Sequence, residues 1–456
     1  MQSYQRMWEN KGHRPYWALL HIYALTKPLE QLTSFSYKKT IFQINERAVN
    51  TAFFEKQEME LATVYFERWW KDKKNLVLYF KKVQNYFEEA ERIFQETLLI
   101  DWKLLSTKEI FTQINKAAHL HGFAFLFVTQ PQHVLPLEKN IQKILEKEPN
   151  AHQIMSSVTK SALPLPFDQE QEEITKYRQQ WTILSTQQKE DILKKLVQKY
   201  GWLGSIEGET FYGEKHYEAE ILSVPEKRQH VPNIEAQPQV KELGNLIALL
   251  SNQRIWSRWH GMRLRYCIKL GVQELARRWN ISLLEYATLP EMELFTQSEK
   301  IDLQELERRK NEGYVAVIID QKPTLLTGQK AIQYKLLVEE KIEETDTVHG
   351  LCANPGKITG KVRIISFASD DYHKEISQFQ NGEILITGMT RPQIAHLCQK
   401  ASAIITDEGG ITSHASIISR EFNIPCIIGT KNATKIFKTG DLVEIDAAHG
   451  TAKRIK

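Results

Sequence analysis

Apolar side chains recur at three- and four-residue steps through residues 52–200, the spacing of one face of a helix. Serine-led capping boxes mark two helix starts, at Ser106 with Glu109 and at Ser185 with Gln188. We expect the helix from Ser106 to end before Gly122, and the prolines in residues 161–171 indicate a loop. The predicted helices cover residues 76–98, 106–120, 137–148 and 187–200.

The first 50 residues carry a weaker pattern. Residues 16–25 and 39–45 could each form a strand, together making a small sheet that caps the helices. His13, Arg14 and Arg47 either line a pocket there or are exposed basic residues near a terminus. We assign residues 1–50 to an N-terminal segment of uncertain structure.

Helical periodicity returns over residues 240–279, which we interpret as two long helices. Arg254, Arg258 and Arg265 lie near one face, at offsets of four and seven residues. Arginine forks match phosphate and carboxylate groups, so this face could receive an anionic substrate or a phosphorylated partner; a solvated face is the alternative. Trp202, in the glycine-rich segment 200–213, either lines a pocket or belongs to a plain helix connector.

After residue 279 the predicted helices and strands are shorter. A capping box at residues 288–291 predicts a short helix, residues 302–311 a helix and residues 314–320 a strand. We therefore assign residues 51–320 to a helical substrate- or partner-binding region. The charged residues 321–348 indicate a linker. Residues 349–456 alternate strands with helices, as in a layered α/β domain.

Length and charge narrow the possible functions. The 456 residues suggest two to four domains, and a net charge of +4 is too small to indicate a nucleic-acid partner. The four cysteines show neither metal-ligand nor redox spacing. No signal-peptide core and no apolar run of membrane length is present in the sequence. We expect a cytoplasmic protein with reduced thiols, no membrane partner and no metal ligand of its own.

One stretch, TDEGGITSHASIISREFNIPCIIG at residues 406–429, carries candidate chemistry. A strand runs into Gly409 and Gly410, and Thr412, Ser413 and His414 open a helix. Backbone N–H groups and the helix dipole favour a negative group there. The glycines let the loop approach a phosphoryl group, while the hydroxyls of Thr412 and Ser413 could hold it or cap the helix. Because histidine is nucleophilic near neutral pH, we expect His414 to carry a phosphoryl group.

These residues resemble the phosphohistidine swivelling domain of phosphoenolpyruvate-utilising enzymes, which include phosphoenolpyruvate synthase, pyruvate phosphate dikinase, enzyme I of the sugar phosphotransferase system and rifampin phosphotransferase. The shared pattern is GGITSHA followed by SREFNIPCIIG, with Asn423 where the family usually has glycine. Asparagine tolerates the left-handed conformation, so we expect the change to be benign. The resemblance implies phosphorylation at His414 and a domain that moves between sites. It covers the last hundred residues closely and residues 195–320 loosely.

The resemblance also shows what the sequence does not contain. We find no P-loop, no stretch like the family's nucleotide-binding half and no phosphoenolpyruvate-binding barrel after Lys456. The leading hypothesis is a phosphotransferase component. A separate partner holding ATP or phosphoenolpyruvate, with Mg²⁺ at its own site, would phosphorylate His414. The group would then pass to a small molecule bound by the helical region near Trp202, Arg258 and Arg265.

Two other hypotheses remain open at this stage. The chain could be a non-catalytic phosphocarrier or regulator whose helical region docks a partner protein. It could also be a self-contained enzyme with an unrecognised nucleotide site in residues 1–200.

Overall fold

The computed structural model describes residues 4–11, 15–45, 49–128, 131–146, 148, 150–159, 166–201, 212–222, 235–282, 302–319, 322–338, 345–366, 372–390, 394–410 and 413–455. The helices and strands in these ranges fall into two groups, one after the other along the chain, called the first set and the second set below. The first set contains β1 Tyr4–Lys11, α1 Pro15–Ala24, α2 Lys27–Thr33, β2 Thr40–Ile44, β3 Val49–Glu55, α3 Lys56–Trp69, α4 Lys73–Leu98, α5 Thr107–Val128, α6 Pro131–Ile144, α7 Ala151–Val158, α8 Pro166–Gln180, a 3-10 turn Trp181–Ile183, α9 Thr186–Tyr200, α10 Glu214–Leu222, α11 Pro238–Trp279, α12 Leu303–Glu312, β4 Tyr314–Ile319, β5 Lys322–Leu326 and α13 Gly328–Leu337.

The second set forms the C-terminal domain. It contains β6 Thr347–His349, β7 Leu351–Asn354, β8 Lys357–Ile365, α14 Tyr372–Ser377, β9 Ile384–Thr387, α15 Ala395–Lys400, β10 Ala403–Thr406, α16 His414–Glu421, β11 Cys426–Ile428, α17 Ala433–Ile436, β12 Leu442–Asp446, a 3-10 turn Ala447–His449 and β13 Thr451–Arg454. The fold class predicted from the sequence, a mainly helical region followed by an α/β domain, therefore holds at this level.

Helix α11 organises the first set. We expected two helices over this stretch, but it is one helix of 42 residues. Its interior glycines do not break it, because each lies where another helix comes close. A β-carbon at Gly244 would approach Cγ2 of Val158 to 2.5 Å, one at Gly271 would approach Cγ1 of Ile114 to 2.5 Å, and one at Gly261 would approach Cβ of Ala124 to 2.9 Å. Glycine here permits close helix packing.

The N-terminal strands belong to a sheet whose other strands come from a much later part of the chain. Its antiparallel order is β1-β3-β2-β4-β5, and Ile41 of β2 pairs with Val317 of β4. The strand predicted over residues 39–45 is confirmed. The strand predicted over residues 16–25 is wrong, because helix α1 occupies them. Nearly every side chain of α1 from Ala18 onwards is buried, so the segment has no polar face to reveal its period.

Other boundaries also shift. Residues 52–55, expected to be helical, complete β3, and α5 continues through Gly122. Residues 166–171, expected in a loop, lie in α8. The expected linker 321–348 is largely folded, since β5 pairs with β4 and α13 follows it. The capping boxes at Ser106 and Ser185 are both confirmed by their hydrogen bonds. The short helix predicted at 288–291 lies outside the described residues.

The C-terminal domain is built on an eight-stranded mixed sheet of order β6-β13-β12-β8-β9-β10-β11-β7. Strands β8 to β11 pair in parallel, while β6, β7, β12 and β13 pair antiparallel. Helices α15 and α16 cover one face, where Leu397 and Ile418 pack with Ile404. Helix α17 and Phe437 cover the other face. Because β9, β10 and β11 are parallel, the end of β10 lies beside the ends of both neighbouring strands.

Candidate functional site

The loop after β10 is anchored at its base by buried polar groups. Oγ1 of Thr406 donates to the carbonyl of Glu408 at 2.6 Å, and the Glu408 N–H donates to the carbonyl of Gly388 at 2.9 Å. The buried carboxylate of Asp407 accepts from the Thr434 N–H at 3.1 Å and from the hydroxyls of Thr430 and Thr434. Asp407 therefore anchors the loop to the segment after β11.

The two glycines that follow have different roles. Gly409 has φ of +118°, and a β-carbon there would lie 3.0 Å from Oγ of Ser413. Only glycine adopts this conformation at low cost. Gly410 has no positive φ, and its carbonyl accepts from the Ser413 N–H at 2.9 Å and from the Ser416 hydroxyl at 2.9 Å. The loop thus folds back against the first turn of α16.

His414 is the first residue of α16. Ser413 caps this helix, its hydroxyl oxygen accepting from the Ser416 N–H at 3.4 Å, as the sequence predicted. The remaining N–H groups of the first turn and the helix dipole make this end favourable for an anion. Ser416, which is fully buried, was missed from the sequence, although its three-residue offset from Ser413 is a usable signal. Thr412 and the side chain of His414 lie outside what the structure describes.

The far end of α16 agrees with the prediction made for Asn423. Asn423, which replaces the usual glycine, has φ of +51°, so it adopts the left-handed conformation expected of it. Arg420, near the same end, is partly buried, and burial lowers the pKa of its guanidinium. Its Nε donates to the carbonyl of Ser416 at 2.9 Å. Arg420 therefore stabilises the helix behind the loop.

The helical region meets this loop at Glu138 of α6. The Glu138 side chain is 6% exposed, and a β-carbon built on Gly410 would lie 3.5 Å from its Oε2. Glu138 also attracts Arg254 of α11, while Arg258, one turn further along, repels it. The protein packed around the guanidinium group, with the repulsion from Arg258, lowers the pKa of Arg254, although part of its side chain is exposed to solvent. A buried carboxylate thus borders the glycine loop, and two arginines of α11 lie within its electrostatic neighbourhood.

Both arginines remain open to solvent along part of their length. A diffusible anion can therefore reach them, whereas Glu138 is covered. The sequence singled out Arg258 as a candidate, and in the structure its charge acts on Arg254. Arg254 was noticed on the same face without being assigned to the site. Glu138 gave no local signal, because its relation to Gly410 arises only when segments 272 residues apart come together.

Arg265 lies elsewhere on α11. Eleven residues separate it from Arg254, which corresponds to about 16 Å along a helix. Its charge acts on His21 and His121, two buried imidazoles whose rings stack with centroids 5.8 Å apart. Burial, with the charge of Arg265, lowers the pKa of both histidines well below 6.5. The structure therefore separates Arg265 from Arg258. Trp202, His13, Arg14 and Arg47 lie outside the described residues.

Comparison with known proteins bears directly on the C-terminal domain. Residues 379–450 match the family model described as the mobile domain of PEP-utilising enzymes. This part of the C-terminal domain is similar to that mobile domain. The match includes β9, β10, the glycine loop and His414, so the mobile domain contains the whole loop side of the candidate site.

Three relatives match mainly the same part of the chain. A probable phosphoenolpyruvate synthase of Pyrococcus horikoshii is 48% identical over 112 residues, covering 24% of this chain and 13% of the relative. One from Archaeoglobus fulgidus is 40% identical over 139 residues, covering 30% and 18%. The uncharacterized phosphotransferase YvkC of Bacillus subtilis is 41% identical over 114 residues, covering 25% and 13%. This chain thus spans less than a fifth of the length of these relatives.

Within the described ranges, no His, Cys, Asp and Glu side chains gather in a group of three or more that could bind a metal ion. Among the helices in those ranges, none has both the length and the apolar character needed to cross a membrane. All four cysteines are free thiols, and burial raises the pKa of Cys426 to about 12.

Proposed function

We propose that this chain is a phosphotransferase component in which His414 of the mobile domain relays a phosphoryl group to a small molecule held by the helical region. The phosphoryl group comes from ATP or phosphoenolpyruvate on a separate donor protein, where Mg²⁺ assists its transfer. The family match supports a phosphohistidine relay. The acceptor, the donor protein and the cytoplasmic location are parts of the proposal.

One observation carries the acceptor half of this proposal. The glycine loop beside His414 lies against Glu138, whose charge acts on Arg254, and Arg254 in turn feels the charge of Arg258. A phosphoryl group brings a charge of about −1.5 to −2 at neutral pH, and the two guanidinium groups supply the opposite charge. Arginines beside a transferring phosphoryl group stabilise the charge that spreads over its oxygens in the transition state. Arg254 and Arg258 would therefore bind and stabilise the group as it leaves His414.

Labelling tests the relay. The protein is incubated with [β-³²P]ATP, [γ-³²P]ATP or labelled phosphoenolpyruvate, alone and with candidate donor proteins, and acid-labile, alkali-stable phosphate is counted. We expect label on the wild-type chain and none on H414A. If no donor gives label that depends on His414, the relay is refuted. Label obtained with ATP alone would instead identify a nucleotide site within this chain.

Arginine variants test the acceptor half. We expect R254Q and R258Q to accept label as the wild type does, but to pass it to a deproteinised small-molecule extract at least tenfold more slowly. The matched control is R277Q on the same helix, because Arg277 is exposed and pairs with Glu274. Equal transfer by R254Q, R258Q and the wild type would exclude the proposed acceptor site. Label that stays on His414 of the wild type would favour a phosphocarrier.

A further inference from the structure

The segment that follows β11 supports the glycine loop from one side. Residues 429–434 run beside the end of β10, where the Lys431 N–H donates to the carbonyl of Asp407 at 2.8 Å. A β-carbon on Gly429 would lie 3.2 Å from the carbonyl oxygen of Gly409. Because the two backbones come this close, the conformation of the loop depends on the position of residues 429–434.

The side chain of Asp407 also links the loop to helix α17. It is buried, its Oδ1 accepts from the Thr434 N–H at 3.1 Å, and its Oδ2 accepts from the Thr434 hydroxyl. Thr434 is the second residue of α17, and Asn432, the N-cap residue of that helix, makes no side-chain cap bond. The carboxylate of Asp407 therefore satisfies an N–H of the first turn that the helix's own N-cap leaves without a side-chain acceptor.

The backbone of Lys431 gives a second observation. Its φ is +72°, in the left-handed region that residues other than glycine, asparagine and aspartate rarely adopt. Such a conformation persists where the surrounding structure determines it, and it is frequent at functional sites. On either side of Lys431, the hydroxyl of Thr430 and the N–H of Thr434 donate to Oδ1 of Asp407. These bonds hold residues 430–434 in one conformation against the loop.

We propose that Asp407 and Thr434 are positioning residues for phosphorylation of the mobile domain. This inference rests on the proposed function, in which His414 accepts the phosphoryl group. The pair fixes the end of β10 so that the chain enters Gly409 at φ of +118° and reaches the Ser413 cap of α16. Both residues act through the backbone of the loop and take no part in the transfer itself.

Hydrogen-bonding capacity separates the variants that should matter from those that should not. D407A removes both acceptor oxygens, and T434V removes the hydroxyl while nearly keeping the shape of the side chain. D407N keeps an oxygen for the Thr434 N–H, and its amide can donate to the Thr434 hydroxyl, which accepts as well as donates. T434S keeps the hydroxyl. We therefore expect D407A and T434V to disturb the loop, and D407N and T434S to preserve it.

Potassium phosphoramidate, a chemical phosphoryl donor, tests these variants in the full chain. An imidazole nitrogen of His414 bonds to phosphorus as the P–N bond of the donor breaks, and ammonia leaves with the electron pair of that bond. Mass spectrometry of the peptide that contains His414 measures the rate. A misplacement of about 1 Å can cost about 10²-fold in enzymes. We expect D407A to react at least tenfold and T434V at least threefold more slowly than the wild type, with D407N and T434S within about twofold of it.

Stability is measured on the same samples by hydrogen exchange of the β10 and β11 amides. A purely structural role for the pair would leave the rate unchanged as long as the domain remains folded. If D407A unfolds the domain, the comparison of T434V with T434S decides the question.

The matched control is T439V, which removes another threonine hydroxyl of the same domain. Oγ1 of Thr439 accepts from the Ile364 N–H at 3.1 Å and supports β8 instead of the loop. We expect T439V to react at the wild-type rate. If the folded T434V variant reacts at the wild-type rate, or if T439V slows to the same extent, Asp407 and Thr434 only stabilise the domain and this proposal is wrong. If the wild-type chain gains no phosphoryl group at His414, the relay itself fails, and this inference fails with it.

Discussion

The conformation of Gly409 gives a quantitative test of how the loop is built. Gly409 has φ of +118°, and a β-carbon there would lie 3.0 Å from the hydroxyl oxygen and 3.1 Å from the β-carbon of Ser413. The change G409A therefore adds two costs. The backbone enters a region that L-residues rarely adopt, and the residue that caps α16 must move.

A second glycine of the same domain isolates the two costs. Gly440 has φ of +98°, and a β-carbon there would meet no atom within 4 Å. We expect G440A to destabilise the domain by the backbone cost alone, about 1–3 kcal/mol. We expect G409A to cost about 1 kcal/mol more, the typical value of a lost N-cap. G410A, at a residue with no positive φ and its nearest contact at 3.5 Å, should cost the least of the three.

Native-state hydrogen exchange is the appropriate assay for this comparison. All ten tryptophans precede residue 280, so their fluorescence does not report on the C-terminal domain. Amides of β10 and β11, which pair Ile405 with Ile427 in the buried sheet, report the opening of this domain directly. A difference of 1 kcal/mol between two variants changes the exchange rate about fivefold.

We expect phosphorylation of His414 to depend on whether the Ser413 cap of α16 is intact rather than on the stability of the domain. We expect G409A to accept phosphate at His414 poorly, because moving Ser413 disturbs the first turn of α16, whereas G440A should accept it normally. Equal destabilisation by G409A and G440A, together with normal labelling of G409A, would refute the argument. The cap of α16 would then be independent of the glycine loop.

Two further predictions use buried polar groups. Burial raises the pKa of Glu170 to about 7, with the charge of Glu220 adding to the shift and the hydrogen bond from Tyr217 opposing it. Glu170 ionises at a lower pH in the unfolded state than in the folded state, so the free energy of unfolding should fall by about 3 kcal/mol between pH 4.5 and 7 and be constant above that range. E170Q should remove this loss in urea unfolding followed by tryptophan fluorescence. An unchanged pH dependence in E170Q would contradict the prediction. S416A should cost about 0.5–1.5 kcal/mol and reduce labelling of His414, because the Gly410 carbonyl loses one of its two hydrogen bonds and keeps the one from the Ser413 N–H. S419A, which loses bonds to the Ser416 carbonyl and to Cys426 but none to the loop, should keep normal labelling.

The loop side of the site could be predicted from the sequence because it is local. The glycines, the cap at Ser413 and the left-handed Asn423 are all determined by residues within one strand–loop–helix unit. Other short-range predictions, such as the capping box at Ser106, are likewise present in the structure. Tertiary context does not override them, since each satisfies its own backbone groups.

The helical side could not be predicted in the same way. The contact between Gly410 and Glu138, and the pairing of β2 with β4, join segments that are hundreds of residues apart. Helix α1 was mistaken for a strand because it is buried all round, and α11 was divided because its glycines resemble breaks. In both cases packing against other elements decides the outcome, and one sequence contains no direct record of that packing.

The folding of residues 322–337 limits how the relay can work. A linker over residues 321–348 would contain 28 residues and could span about 95 Å when fully extended. The described residues after α13 run to Val338 and resume at Thr345, seven residues later. Seven residues reach at most about 24 Å. If β5 and α13 stay with the helical region when the C-terminal domain moves, this connection limits the separation of its two ends to about a quarter of what the longer linker would allow. In the proposed relay we therefore expect the donor protein to bind within reach of this connection.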